Sequence, residues 1–171
     1  MNDAPRTTVE VLERVGDNWS ELQQVFAGLT EQQLSEPGPE GWCVKDHLSH
    51  ISAWECALTA VLRGQPQHRA FGLDAATYDR IDSVDQLNAL VYQRTRDRSV
   101  ADALSELERA HGDVLVELQR LGDADLDRTI ADFGSDPSDE RPIRQKIAGD
   151  SFEHYAEHTM WLRALLAAIQ R

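Results

Sequence analysis

Residues 142–171 read PIRQKIAGDSFEHYAEHTMWLRALLAAIQR, and their periodicity decides the architecture. At about 100° per residue, Ile147, Ser151, His154, His158, Trp161, Leu165 and Ile169 fall on one stripe roughly 80° wide. That is the pattern of an amphipathic helix with one buried face. Pro142 suits its first position, where the missing N–H has no helical partner to lose. The spacing predicts one continuous helix from Pro142 to the C-terminus, with two histidines in the middle of its apolar face.

Three further helices are predicted upstream. The first runs from Thr7 to Gly28, with Val9, Leu12, Val15, Trp19, Leu22, Val25 and Phe26 at three-and-four spacing. Thr7 or Thr8 can cap it, and Gly28 suits its end. A short turn, Thr30 to Leu34, leads into the PGPEG break at residues 37–41. The second helix spans Val44 to Arg63; His47, Ile51, Trp54, Leu58, Val61 and Leu62 share a face, with Leu48 at its edge. Helical character resumes near Ser83 and holds to Leu121, broken near Ser99, where Ser99-Val100-Ala101-Asp102 reads as a capping box. The connections 64–82 and 123–141 are polar and poorly periodic. No strand alternation or internal repeat is visible. The expectation is one all-α domain over residues 1–171, a four-helix bundle with two long connections and short accessory helices.

Composition bounds the function. Hydrophobic residues make up 41% of the 171, enough for an ordinary packed core. Against 17 Lys and Arg stand 30 Asp and Glu, a net charge of −13. Such a surface repels phosphate backbones and anionic lipid, so neither a nucleic-acid nor a membrane partner is expected. No apolar run approaches the roughly 20 residues of a membrane span. The opening MNDAPRTTVE has no apolar signal-peptide core. Cys43 and Cys56 make neither a disulfide framework nor a CxxC pair. A soluble cytoplasmic protein is expected.

The histidines carry the chemistry. An i,i+4 pair points both imidazoles the same way, one turn apart, which suits shared coordination of one ion. Alone, H-x-x-x-H is too short to mark a site. On an apolar stripe, however, unsatisfied polar groups cost about 1–3 kcal/mol each, and a metal would satisfy His154 and His158 together. The second helix offers His47-Leu48-Ser49-His50. His47 lies near the centre of its apolar face and His50 about 60° to one side. Periodicity leaves open which is the ligand and which a packed core residue. His111, mid-stripe among Leu104, Leu107, Leu115 and Leu118, reads as a satisfied core or cavity-lining histidine, with a ligand or catalytic role as the lesser reading. His68 lies in an exposed connection.

Cys43 precedes the second helix, as a buried or capping residue or as a thiol activated by the helix N-terminus. Trp42, Trp54 and Trp161 read as core anchors rather than a substrate platform. Glu55, Glu153 and Glu157 flank the histidines, either to orient imidazole N–H groups or as solvated helix-face charges. There is no GxGxxG, P-loop, GxSxG or HExxH, which removes the usual nucleotide loops and common hydrolase signatures.

Two blocks carry a family resemblance. The first is Gly41-Trp42-Cys43-Val44-Lys45-Asp46-His47-Leu48-Ser49-His50-Ile51-Ser52-Ala53-Trp54-Glu55, and the second runs from Ile147 to His158. With the helix order and the LTEQQL turn, the chain resembles the DinB-like superfamily over nearly its whole length. That group includes the DinB damage-inducible proteins, thiol-dependent maleylpyruvate isomerases and ClbS/DfsB-type proteins. The resemblance implies a divalent metal held by His50, His154 and His158, and it selects His50 over His47 by analogy. Cys43 departs from the family's usual Ser or Thr. Zinc or nickel is the expected ion, with iron(II) or copper also compatible with three imidazoles.

Three neutral imidazoles leave an ion with open positions, the arrangement of a catalytic site. The resemblance then implies a metal-dependent enzyme acting on a small molecule. It would be either a low-molecular-weight-thiol-dependent S-transferase or isomerase, or a hydrolase that detoxifies a reactive metabolite. The catalytic group would be a metal-bound water or thiol. The alternative is a non-catalytic, stress-associated binding or sequestering protein. A homodimer is compatible with such bundles.

Overall fold

The computed structural model describes residues 4–169. Four long helices form the core: α1 (Thr8–Phe26), α3 (Val44–Leu62), α7 (Val100–Leu118) and α9 (Phe152–Ile169). Five shorter ones attend them: α2 (Glu31–Ser35), α4 (Gln67–Ala70), α5 (Ala75–Tyr78), α6 (Val84–Thr95) and α8 (Ile143–Asp150). Two 3₁₀ turns, Asp123–Asp127 and Ala131–Phe133, carry the chain from α7 to α8. No strand occurs among the described residues, so the fold is all-α as expected.

The helix starts are specified locally. The Thr7 hydroxyl accepts from the Glu10 N–H at 3.2 Å, and Ser99 accepts from Asp102 at 3.1 Å. Each replaces a helical partner that the first-turn N–H groups lack. Gly28, at φ +78°, turns the chain out of α1, a conformation glycine adopts without a Cβ penalty.

α3 packs along α7 and α1 along α9, while α4, α6, α8 and α9 also lie against α3. α3 is therefore the central helix, and its burial extends well beyond the predicted stripe, taking in Asp46, Ser49, Ser52 and Glu55. Val15, Leu22, Ile51, Leu58, Leu107, Ile147, Tyr155 and Leu162 fill the main core. A smaller cluster of Ala57, Phe71, Leu87 and Val91 seals the connection 64–82 and α6 onto α3.

The last helix is not continuous. Ser151, at φ −132° and ψ −104°, breaks it into α8 and α9, and Pro142 is the N-cap rather than the first helical residue. Gly149 weakens the helix at this point, and the buried Ser151 hydroxyl donates back to the Ile147 carbonyl, a local bond that competes with helical continuity. The break rotates the core-facing side of α9 onto Phe152, Tyr155, Thr159 and Leu162. His154 and His158 consequently lie on the flank that faces α3, and Trp161 is 50% exposed rather than in the core.

Candidate metal centre

α3 and α9 bring His50, His154 and His158 together, with their ligand nitrogens all within 4.8 Å of one another. The Nε2 atoms of His50 and His154 are 3.1 Å apart, and those of His154 and His158 3.0 Å. An sp² ring nitrogen has a single in-plane lobe, holding either a proton or a lone pair. His154 Nε2 cannot form hydrogen bonds with both neighbours at once. Three lone pairs converging on a cation resolve that conflict. Neighbouring imidazole nitrogens about 3 Å apart are close enough to bind one ion at the usual metal–nitrogen distance of about 2.0–2.1 Å. The residues therefore fit a divalent ion.

The protonation states suit ligation, since a metal needs neutral imidazole. Burial lowers His50 to about 3, with His154 and His47 adding to the effect. Burial likewise takes His154 to about 4 and moves His158 well below the usual histidine range. The Nδ1 atoms of His50 and His154 are buried without a hydrogen-bond partner among the described residues. Nδ1 of His158 instead meets Nδ1 of His47 at 3.0 Å. His47, half-buried and lowered by burial to about 4, is thus a neighbour of the cluster and not one of the three converging rings.

A cavity of about 690 Å³ ends on this cluster. Trp42, Trp54 and Trp161 form much of its wall, with Asn88 beside Trp54 and with Glu40 and Glu157 at exposed positions. This corrects the reading of the three tryptophans as core anchors for Trp42 and Trp161, whereas Trp54 both walls the cavity and packs on the smaller core cluster beside Phe71. A hydrophobic period cannot distinguish a side chain packed on core from one packed on a cavity. Trp19 is the buried tryptophan among the described residues, 7% exposed and stacked on His111 at 3.7 Å.

The remaining candidates fall away from the site. His111 is a satisfied core histidine, 3.0 Å from Glu55 and 3.3 Å from the Tyr155 hydroxyl. Glu55 is fully buried and also accepts from Tyr155, so it serves His111 and not the three converging imidazoles. Glu153 is exposed. His68 belongs to α4, near Tyr78. Cys43 is buried, its thiol donating to Asp46 at 3.0 Å. Burial, with Asp46 beside it, pushes that thiol up to about 11, the reverse of an activated thiolate. Sequence reasoning also missed the buried Lys146–Asp150 pair at 2.7 Å, whose ammonium lies 5.2 Å from the Trp54 ring; its i,i+4 spacing was the available signal.

A four-helix bundle whose central and last helices pool three imidazoles defines a class of fold and site. The model of the DinB superfamily matches residues 14–160, and the chain belongs to that superfamily. Comparison with curated proteins finds no match. Among solved structures, an uncharacterised Escherichia coli UTI89 protein aligns with a TM-score of 0.73 at 18% identity, covering 98% of this chain and 96% of its own. The colibactin self-resistance protein ClbS, crystallised with double-stranded DNA, aligns at 0.71 and 16% identity, covering 94% and 96%. A Streptococcus pneumoniae protein aligns at 0.75 and 11% identity, covering 96% and 93%.

The ClbS complex corrects one expectation. A net charge of −13 does not exclude a nucleic-acid partner, since a protein of this fold was crystallised with double-stranded DNA. Net charge sums over the whole surface, whereas phosphate contacts depend on where the arginines lie. As for membranes, no described helix is long and apolar enough to cross one.

Proposed function

We propose that this chain is a divalent-metal-dependent enzyme acting on a small organic molecule, and that it is a detoxifying hydrolase rather than a thiol transferase. The observation that carries the proposal is the cavity whose floor is the three convergent imidazoles. His50, His154 and His158 would hold the ion, zinc or nickel before iron. When bound, such an ion supplies Lewis acidity to a carbonyl or to water. The chain's own residues keep the ligands neutral by burial, orient His158 through His47, and shield the floor with indole rings. No Lys or Arg lines the cavity to meet the carboxylate of a thiol co-substrate, and neither cysteine lines it. The self-resistance role of ClbS favours the same reading.

The test is metal analysis of protein purified without an affinity tag. One ion per chain is expected, lost in His154→Ala with helicity intact. Protein devoid of metal, or a variant that keeps it, would refute the proposal. A compound bound and released unchanged would instead support the non-catalytic sequestering alternative. A cytoplasmic setting accords with two free cysteines. Homodimerisation is a further proposal, supported by adjacent exposed Met160 and Trp161 and checked by sedimentation velocity.

A second reading, nucleic-acid binding, draws on Arg69, Arg94 and Arg98, which line one pocket on the α4–α6 face. DNA affinity that falls steeply with salt, and is weakened by Arg94→Glu, would support it.

A further inference from the structure

We propose that the walls of this cavity take a planar aromatic group that carries no negative charge. The inference rests on the cavity being the functional site, but not on the metal being bound. Three indoles face one space, and two are fixed before any ligand arrives. Trp42 is stacked on Tyr92 at 5.0 Å between ring centres, 13° from parallel. Trp54 donates from its ring N–H to Asn88 at 3.3 Å and has Lys146 near its ring. Trp161 packs edge-on to His158 at 4.8 Å while remaining 50% exposed. Rigid aromatic walls bind flat rings with little ordering cost and favour offset-stacked or edge-to-face contacts. At about 690 Å³ the cavity accommodates a ligand of two or three fused rings.

The charge selection follows from what surrounds those rings. Glu40 and Glu157 line the cavity, and neither is ion-paired among the described residues. Asp150 also lines it but already holds Lys146. No lysine or arginine lines the space, its four lining histidines are held neutral by burial, and Lys146, beside the Trp54 ring, is paired with Asp150. A sulfonate or carboxylate entering between the indoles would leave water for carboxylates and ring faces. The indole face is the negative end of its quadrupole, so it repels an anion and attracts a cation. The chain's net charge of −13 acts in the same direction at longer range.

The experiment uses the full chain, both metal-free and metal-loaded, titrated calorimetrically with three matched probes. These are 1-naphthylmethylammonium, 1-naphthalenemethanol and 1-naphthalenesulfonate. In the metal-free protein the cation and the alcohol should bind at least about ten-fold tighter than the sulfonate. Trp161→Ala, at an exposed position, should weaken the cation by about ten-fold. Glu157→Lys, also exposed, should abolish or invert the preference for cation over sulfonate. Sulfonate binding equal to the cation's, or no saturable binding of any probe, would overturn the inference. So would unchanged selectivity in Glu157→Lys. The two proposals fail separately. Protein that loads one ion yet rejects all three probes loses only this inference, and protein that binds the cation but no metal loses only the metal reading.

Discussion

His47 and His158 meet Nδ1 to Nδ1 at 3.0 Å, and a single proton must lie between them. For His158 to offer an Nε2 lone pair to the cluster, its Nδ1 carries that proton and donates it to His47. His47 is therefore a positioning residue: it fixes both tautomer and ring orientation. Replacement by Phe keeps the ring's bulk but removes the acceptor, and outer-shell losses of this kind weaken metal binding by about 10–100-fold. A chelator competition should find capacity still one ion per chain but affinity reduced to that extent. Unchanged affinity would mean that the contact only packs the two rings.

Acid sensitivity follows from the same burial. His47 and His154 lie at about 4 and His50 at about 3 in the fold, against an ordinary 6.5. The folded state then binds fewer protons than the unfolded one between those limits. Stability is fully present above pH 6.5 and is lost as pH falls toward about 4. Thermal melts of the metal-free protein should drop across this window. His154→Phe, with one fewer titrating ring, should flatten the drop.

Glu55 imposes the opposite slope. Burial raises its carboxyl, although hydrogen bonds to His111 and Tyr155 pull it back. The folded protein holds that proton more tightly, so this contribution is complete below pH 4.5 and lost as pH rises through the folded value. Glu55→Gln, compared with the parent by urea unfolding, should gain relative stability as pH increases. Tyr155→Phe, which removes a donor from the buried carboxylate, should cost about 1–3 kcal/mol.

Cys43 is predicted to be inert. It is 4% exposed and its thiol is pushed up to about 11. Under native conditions iodoacetamide should modify the half-buried Cys56 first, as read by mass spectrometry, and leave Cys43 unmodified until the protein unfolds. Cys43→Ser restores a stronger cap at the start of α3, for an expected gain of about 0.5–1 kcal/mol.

The sequence by itself determined that the protein is helical, where α1, α3 and α7 begin, and that His154 and His158 share a face. Caps, breakers and a 3.6-residue period are local properties, readable from neighbours in the chain. The break at Ser151 is local too, marked by Gly149, although Pro142 and an unbroken apolar stripe point to one continuous helix. Family resemblance, not periodicity, selected His50 over His47. That choice is tertiary, because it depends on how α3 and α9 are rotated against each other. The same packing brought Trp42, Trp54 and Trp161 around a cavity, while α1 against α7 stacked Trp19 on His111 in the core. The packing of α3 along α7 decided that Glu55 serves His111 rather than a converging imidazole. A hydrophobic period reports that a side chain leaves water; what it then meets is set by contacts distant in sequence, 111 residues apart in the case of His47 and His158.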